Sequence, residues 1–534
     1  MADRRSLLAV VLFAAVLHGL AISRTLLPAQ DGLKYISVAR DFQSRPWEDV
    51  VRGTDVHPLY PALVAITEPS VAWWAGEGSS TWRIASQLVS SVACLLIVVP
   101  MHGITKVLFD RRVAVIAAGL AVIYPRAAAL GHETLADSVG HLGIFVSIWL
   151  GLHAILRADP RLALGSGLSA GLGYLARPEA VLAPAALAVA WLVTPGWLDW
   201  KTCWRRGRTL AVLLVAFTTV LGYYAMIKGE LSEKLALRLG ASLGHSRVSA
   251  HPSHRIAPKG LDDPRWDFSP KEESERISIA NWRQAVRRVT GLWWEETCWA
   301  FAVMAVWGFA RRRFIRGHCP EYDSQIGPVA TRLLITFSVI YALALVRHSA
   351  ILGYLSGRHT MALLYATTPW SAAGILVCAR GIAVKSGMGP RMARRVEIVA
   401  IVIALAASAL AQTRPSHLNH VSRLGHLAAG RWLAENATPD DLVLDTRGWA
   451  RFVSGQRGYD YWHVRQALSD SHLSYIVVGL DELDARSGRA ASLRSLLAQT
   501  ASPVAEFPGG PGDSSPGVGV YRFTRPRSWE DVAP

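Results

Sequence analysis

Long apolar runs separated by short polar connections fill most of the first 412 residues. About 20 apolar residues cross a bilayer as an α-helix, and shorter runs cross when the helix tilts or the bilayer thins. Counting the runs predicts about eleven transmembrane helices in a mainly α bundle. The runs are Ser6–Ile22, Ser86–Ile104, Val113–Leu130, Ser138–Leu156, Leu162–Leu175, Ala180–Val193, Leu210–Ile227, Trp299–Ala310, Leu333–Val346, Met361–Cys378 and Ile398–Leu410.

Lys and Arg residues occupy every second connection between these runs, and this alternation predicts the orientation of the chain. Basic connections stay on the cytoplasmic side of a membrane. We therefore expect a multi-pass protein of the inner (plasma) membrane with a cytoplasmic N-terminus. The segments 23–85 and 228–297 and everything after residue 412 then share the extracytoplasmic face. The basic clusters include Arg4 and Arg5, Arg111 and Arg112, Arg205 and Arg206, Arg311 to Arg313, and Arg394 and Arg395.

The pattern changes after residue 412, where short apolar runs alternate with Gly, Asp and Pro. VSRLGHLAAGRWLAEN has a helical period, and LVLD, RFVSG, LSYIVVGL and VGVYRF have the length and composition of strands. We predict two domains: a transmembrane domain over residues 1–412 and a small extracytoplasmic α/β domain over residues 413–534. No catalytic motif stands out in the second domain.

Composition supports a membrane protein. Hydrophobic residues make up 51% of the 534, charged residues only 18%, and the mean hydropathy is +0.25. The net charge of +16 arises from basic clusters between apolar runs, so we expect no nucleic-acid partner. The five cysteines lie far apart, and their spacing indicates neither a disulfide framework nor a zinc site.

The polar segment between the first two runs is the strongest functional clue. It carries Asp31 and His57 and ends in the block HPLYP. A second polar interruption, Ala176-Arg177-Pro178-Glu179, separates two short runs near the same predicted face. Charged side chains at this depth are costly unless they reach water or meet partners, so both segments predict a functional site at the outer boundary.

Several blocks occur in an order that resembles a known family. They are Asp31-Gly32-Leu33-Lys34-Tyr35, Ala39-Arg40, His57-Pro58-Leu59-Tyr60-Pro61, Tyr124-Pro125, Glu133 with Asp137, Gly167 to Ala180, and Gly357-Arg358-His359. This order resembles the GT-C glycosyltransferases, in the branch with the protein O-mannosyltransferases, the lipid A aminoarabinose transferase and the rhizobial core-sugar transferases. The resemblance spans most of Ser6 to Gln412. One departure is Gly32, because the family has a second acid at that position.

The resemblance implies an inverting transfer of a sugar from a polyprenyl phosphate to an acceptor hydroxyl of a glycan, lipid or protein. Asp31 is the expected general base, because a carboxylate can accept the proton of an attacking hydroxyl. Cations near the departing phosphate stabilise its charge, and the expected ones are Lys34, Arg177 and Arg358. The expected cavity residues are Tyr35, Arg40, His57, Tyr60, Glu133, Asp137, Glu179 and His359. No cofactor is expected, and a divalent metal stays open without support from the sequence.

Simpler interpretations remain at this stage. Asp31 has the position of a helix N-cap before Leu33. Arg177 and Glu179 can pair only with each other, and Glu133 and Asp137 can be solvated acids at the end of a helix. The alternative function is a membrane transporter or lipid flippase, which also has broken helices and buried ions. A transporter is expected to carry its ionisable residues near the bilayer midplane, whereas these lie at one face.

Overall fold

A helical bundle followed by a mixed α/β domain forms the protein. The computed structural model describes residues 2–194, 200–229, 266–267, 282–312, 326–413, 420–510, 517–529 and 532. Most of the predicted outer segment 228–297 lies outside this range.

Helices form at every predicted apolar run, and additional helices form in the polar segment between the first two. The agreement has a physical reason. An apolar segment in a membrane must satisfy its backbone hydrogen bonds within itself, and an α-helix does this. The helices are α1 (Ala2–Ser23), α2 (Gln30–Ser44), α3 (Trp47–Gly53), α4 (Leu59–Ala75), α5 (Ser79–Leu96), α6 (Val98–Leu108), α7 (Arg111–Ile123), α8 (Pro125–His132), α9 (Asp137–Arg157), α10 (Pro160–Tyr174), α11 (Leu182–Leu192), α12 (Trp200–Lys228), α13 (Trp282–Glu296), α14 (Ala300–Ala310), α15 (Ile326–Leu352), α16 (Met361–Lys385) and α17 (Pro390–Thr413).

Fewer of these helices are long enough to cross a membrane than the run count predicted. Among the described residues six are long and apolar enough, and the bent pair α7 and α8 makes a seventh if it is one span. The helices α11 and α14 have only 11 residues each, which is about 16 Å at 1.5 Å per residue. Pro125 explains the bend of 54° between α7 and α8.

Two glycines allow α14 and α16 to approach closely. A Cβ at Gly308 would overlap the carbonyl of Trp370, and a Cβ at Gly374 would overlap the carbonyl of Met304. Small residues at such crossings let helix backbones meet inside a membrane. The crossing holds the middle of α16 against α14, and the functional site described below lies just before the first residue of α16.

The C-terminal domain contains a five-stranded sheet in the order β2-β1-β3-β5-β4. Strands β1, β2 and β3 are parallel, and β5 runs antiparallel to both β3 and β4. Both faces of the sheet are covered by helices. The elements are α18 (Leu424–Asn436), β1 (Leu442–Asp445), α19 (Trp449–Ser454), β2 (Gly458–Asp460), α20 (Val464–Ser469), β3 (Leu473–Gly479), α21 (Leu480–Asp484), α22 (Gly488–Thr500), β4 (Ala501–Phe507) and β5 (Val518–Phe523).

Trp266, from the predicted outer segment 228–297, packs in the core of this domain. Trp266 is 3% exposed and packs in the same apolar cluster as Leu493 of α22 and Phe523 of β5. The adjacent Asp267 backbone NH donates to Ser492 Oγ at 2.9 Å. The core of the C-terminal domain therefore includes a side chain from far upstream of its predicted start at residue 413.

The RFVSG run was predicted as a strand, and this prediction was wrong. It forms the end of α19, which lies between Gly448 and Gly455, both with positive φ. Glycine adopts such angles without a steric penalty, so the chain can enter and leave a short helix here. Asp445 at the end of β1 accepts a hydrogen bond from the Arg451 backbone NH at 2.9 Å, which favours the helical turn.

We predict that Gly374→Ala lowers the free energy of unfolding by about 1–3 kcal/mol, because the added methyl group forces apart two closely packed backbones. Gly381 on the same helix has nothing within 4 Å of its Cβ position, so Gly381→Ala is the matched control and should be neutral or stabilising. Thermal unfolding of both variants in the same detergent measures the difference. Equal effects would contradict the close crossing.

Candidate active site

Asp31 lies in the first turn of α2 and faces a cation. The N-cap of this helix is Ala29, and no side chain caps the helix, so the N-cap interpretation of Asp31 is wrong. Asp31 Oδ2 instead lies 2.7 Å from Arg358 Nη2. The Asp31 side chain is 54% exposed and the Arg358 side chain is 24% exposed. The ion pair therefore borders open space and remains reachable by a substrate.

Arg358 is held by a short 3₁₀ turn, Gly357–Thr360, that leads into α16. The turn begins with a capping box, in which the Ser356 backbone NH donates to His359 Nδ1 at 3.1 Å. Tyr341 on α15 donates its hydroxyl to the His359 carbonyl at 3.2 Å. The imidazole of His359 thus fixes the backbone that carries Arg358.

A second charged group lies deeper beside this pair. Arg177 Nη1 is 3.0 Å from Asp137 Oδ1, and its Nη2 is 3.3 Å from Glu179 Oε1. All three side chains are largely buried. Gly140 makes room for the arginine, because a Cβ there would overlap the Arg177 side chain. The structure brings Asp137 into this group, so its interpretation as a solvated acid is wrong.

Electrostatic interactions join the two groups into one site. Asp137 interacts with Arg358 as well as with Arg177. The partly buried Tyr35 lies within range of both pairs, and burial raises the pKa of its phenol to about 12, with Arg177 opposing the shift and Asp137 and Asp31 adding to it. The phenol is therefore protonated at neutral pH and can donate a hydrogen bond.

Gly32 explains why this chain lacks the second acid of the resembling family. A Cβ at Gly32 would overlap Thr134 Oγ1, and the same hydroxyl accepts a hydrogen bond from the Ala29 backbone NH at 3.0 Å. The start of α2 is therefore packed directly against the segment between α8 and α9. A side chain at position 32 would require Thr134 or α2 to move.

Two predicted residues lie apart from this charged site. Lys34 pairs with Asp55 at 2.5 Å, and both side chains are more than half exposed. The Arg40 guanidinium lies over the rings of Trp82 and Phe452, at 5.4 and 5.6 Å. Because Phe452 belongs to α19, Arg40 connects the bundle to the C-terminal domain.

His57 and Tyr60 of the block HPLYP are buried and pack against other aromatic rings. His57 packs against the rings of Tyr174 and Tyr224, with centroids 5.3 and 5.8 Å away. Tyr60 is fully buried, donates to the Ser86 carbonyl at 2.9 Å and meets the Tyr35 ring edge-on at 5.1 Å. These two residues support the wall of the site through packing.

The C-terminal domain holds the segment that leads to Asp31, and the sequence analysis did not predict this contact. Pro28 offers its carbonyl to Arg423 Nη1 at 2.7 Å and to Trp449 Nε1 at 2.9 Å. Glu133 Oε1 lies 2.7 Å from His420 Nε2. More than 280 residues separate Glu133 from His420, so no local pattern could have revealed the pair.

No group of three or more His, Cys, Asp or Glu side chains that could hold a metal ion occurs within the described ranges. The acids of the site are instead paired with arginines.

Comparison with solved structures identifies the fold. ArnT from Cupriavidus metallidurans bound to undecaprenyl phosphate superposes with a TM-score of 0.60 at 12% identity, over 99% of this chain and 99% of that chain. The archaeal oligosaccharyltransferase AglB from Archaeoglobus fulgidus, in complex with an inhibitory peptide and a dolichol-phosphate, gives 0.52 at 13% identity over 98% and 74%. The chain thus has the GT-C glycosyltransferase fold, as the order of its motifs indicated.

Part of the sequence also matches a family model. Residues 71–223 match the family model described as dolichyl-phosphate-mannose-protein mannosyltransferase. Comparison with curated proteins gives no match. The family match runs from the end of α4 into α12 and includes Glu133, Asp137, Arg177 and Glu179.

We predict that Glu133→Gln lowers the free energy of unfolding at neutral pH by about 1–3 kcal/mol. Burial alone would raise the pKa of Glu133, but His420 and nearby cations hold it below the ordinary 4.5. A depressed pKa stabilises the folded state above about pH 4.5, and this contribution disappears as the pH falls through the folded-state pKa.

The measurement is the thermal unfolding midpoint of both proteins from neutral pH to below pH 4. The difference between them should shrink as the pH falls. Glu435→Gln, which changes an exposed acid of the C-terminal domain, is the control and should leave the profile unchanged. A constant gap across the whole range would exclude the proposed role of the Glu133 charge.

Proposed function

We propose that this protein is an integral-membrane glycosyltransferase that moves a sugar from a polyprenyl phosphate to an acceptor hydroxyl. The observation that carries the proposal is the Asp31–Arg358 pair, which places a proton acceptor and a phosphate-binding cation 2.7 Å apart at an accessible edge. The likeness to structures that hold undecaprenyl phosphate and dolichol-phosphate supports a lipid-linked donor.

The reaction uses the two side chains in different ways. Asp31 accepts the proton of the acceptor hydroxyl as its oxygen attacks the anomeric carbon. The bond from that carbon to the phosphate oxygen breaks on the opposite side of the sugar, so the configuration inverts. The departing polyprenyl phosphate gains negative charge, and Arg358 stabilises this charge through two parallel N–H donors.

The guanidinium of Arg358 interacts with two anions in turn, the Asp31 carboxylate and the donor phosphate. When the donor phosphate approaches, part of the Arg358 interaction shifts from the Asp31 carboxylate to the phosphate. Both carboxylate oxygens of Asp31 are then available to the acceptor hydroxyl. Donor binding thus releases the base from its ion pair, so that proton transfer follows the arrival of the sugar.

Arg177 has a supporting role in this proposal. Its charge is already balanced by Asp137 and Glu179 in the buried group, so we assign it to positioning and to the local field around the donor phosphate. Lys34, on the same helix as Asp31, pairs with the exposed Asp55, and its proposed role is to attract the anionic donor. The proposed membrane is the inner (plasma) membrane, with the site and the C-terminal domain on its extracytoplasmic side.

We predict that Asp31→Asn lowers the turnover of sugar transfer by about 10²–10⁴-fold, because the amide cannot accept the proton. Asp41→Asn is the matched control on the same helix, about 15 Å away at 1.5 Å per residue, and should keep full activity. Transfer of radiolabelled sugar from undecaprenyl phosphate, tested across several linked sugars in purified membranes, measures both. Turnover like the wild type in Asp31→Asn would refute the base assignment.

We predict that Arg358→Ala reduces transfer by about 10²–10³-fold and weakens use of the donor more than use of the acceptor. Arg358→Lys should recover part of the activity, since the charge returns without the two-pronged geometry. Arg24→Ala removes an exposed arginine next to the end of α1 and serves as the control. The apparent KM values for donor and for acceptor separate the two effects. Equal changes in both KM values would count against phosphate binding by Arg358.

A further inference from the structure

A second cationic site lies at the other end of the bundle. A cavity of about 330 Å³ opens where α7 begins, α16 ends and α17 begins, and we call it the distal cavity. Its lining includes Arg112, Arg380, Arg394, Glu397, Val384 and Pro390. None of these residues has a part in the proposed transfer reaction.

The distal cavity is about one membrane thickness away from the candidate active site. Arg358 precedes α16 and Arg380 lies near its last turns, so the two are 22 residues apart on nearly continuous helix. At 1.5 Å per residue this is about 33 Å, close to the roughly 30 Å of a bilayer core. The cavity therefore lies at the opposite membrane boundary, and donor binding at Arg358 cannot account for it.

The charges in the cavity do not cancel. Arg380 Nε donates to Glu397 Oε1 at 2.7 Å, which neutralises one arginine. Within the part of the chain that the structure describes, no ion pair joins Arg112 or Arg394 to a carboxylate. Two cations from different helices thus face one cavity without a counter-charge, and this arrangement favours a bound anion.

Apolar side chains border the same cavity on its outside. Val384 lines it and is 77% exposed, and the nearby Ile382 and Met392 are 58% and 50% exposed. In a membrane these side chains face hydrocarbon. The site therefore offers cations for a phosphate and an adjoining apolar surface for acyl chains, a combination typical of anionic-lipid sites between transmembrane helices.

We propose that the distal cavity binds the phosphodiester headgroup of an anionic glycerophospholipid. Arg112 and Arg394 contact the phosphate oxygens, while Glu397 holds Arg380 in place as a third donor. The acyl chains then run along the exposed apolar side chains of α17, which include Val399, Val402 and Ile403. A bound lipid would join the first residues of α7 and α17 to the end of α16 and stabilise this end of the bundle.

The test compares lipid binding by the full-length protein and two double variants. Native mass spectrometry of protein titrated with phosphatidylglycerol, phosphatidylcholine or inorganic phosphate measures the bound species and their affinities. We expect retained phosphatidylglycerol and a raised unfolding midpoint in its presence. Arg112→Gln with Arg394→Gln should weaken this binding by about tenfold or more, because two charge-assisted hydrogen bonds are lost.

The matched control is Arg391→Gln with Arg395→Gln, which removes two exposed charges from the same helix α17 outside the cavity lining. It should bind phosphatidylglycerol like the wild type. The proposal is overturned if both double variants lose binding equally, if phosphatidylcholine binds as well as phosphatidylglycerol, or if inorganic phosphate alone gives the same stabilisation. The comparison of lipids on the wild-type protein decides the matter even if a variant does not fold.

Discussion

The ion pair between Asp31 and Arg358 is the constraint on which the rest of the site depends. Two opposite charges at the edge of a low-dielectric region attract strongly, but each loses hydration when it approaches that region. The pair is stable there because one partner stays half exposed. This balance also makes it exchangeable, since an incoming phosphate can replace the carboxylate without leaving a buried charge alone.

Several parts of the fold hold Asp31 and Arg358 close enough to form an ion pair. The glycine at position 32 lets α2 approach Thr134, and the capped turn before α16 fixes the backbone of Arg358. The buried group of Arg177 with its two acids supplies a fixed charge pattern next to them. Arg423 and Trp449 donate hydrogen bonds to the carbonyl of Pro28, three residues before Asp31, so the start of α2 is also held by the C-terminal domain.

The apolar runs predicted the bundle well, because burial and backbone hydrogen bonding determine a helix locally. Strand LVLD was also correct, whereas RFVSG was not, since two glycines and a carboxylate from the preceding strand decided its conformation. The membership of Asp31 and Arg358 in one site followed only from the resemblance. Contacts such as Glu133 with His420 depend on how distant segments pack, and no spacing along the chain carries that information.

Trp266 has a consequence for the order in which this protein assembles. The tryptophan leaves the ribosome well before the strands that will surround it, so its segment must stay available until synthesis of the chain is almost finished. The final domain cannot complete its interior earlier, because Trp266 and Phe523 belong to the same apolar cluster. A C-terminal fragment without Trp266 would lack one side chain of its apolar core. Adding a peptide that contains Trp266 should restore the stability of that fragment.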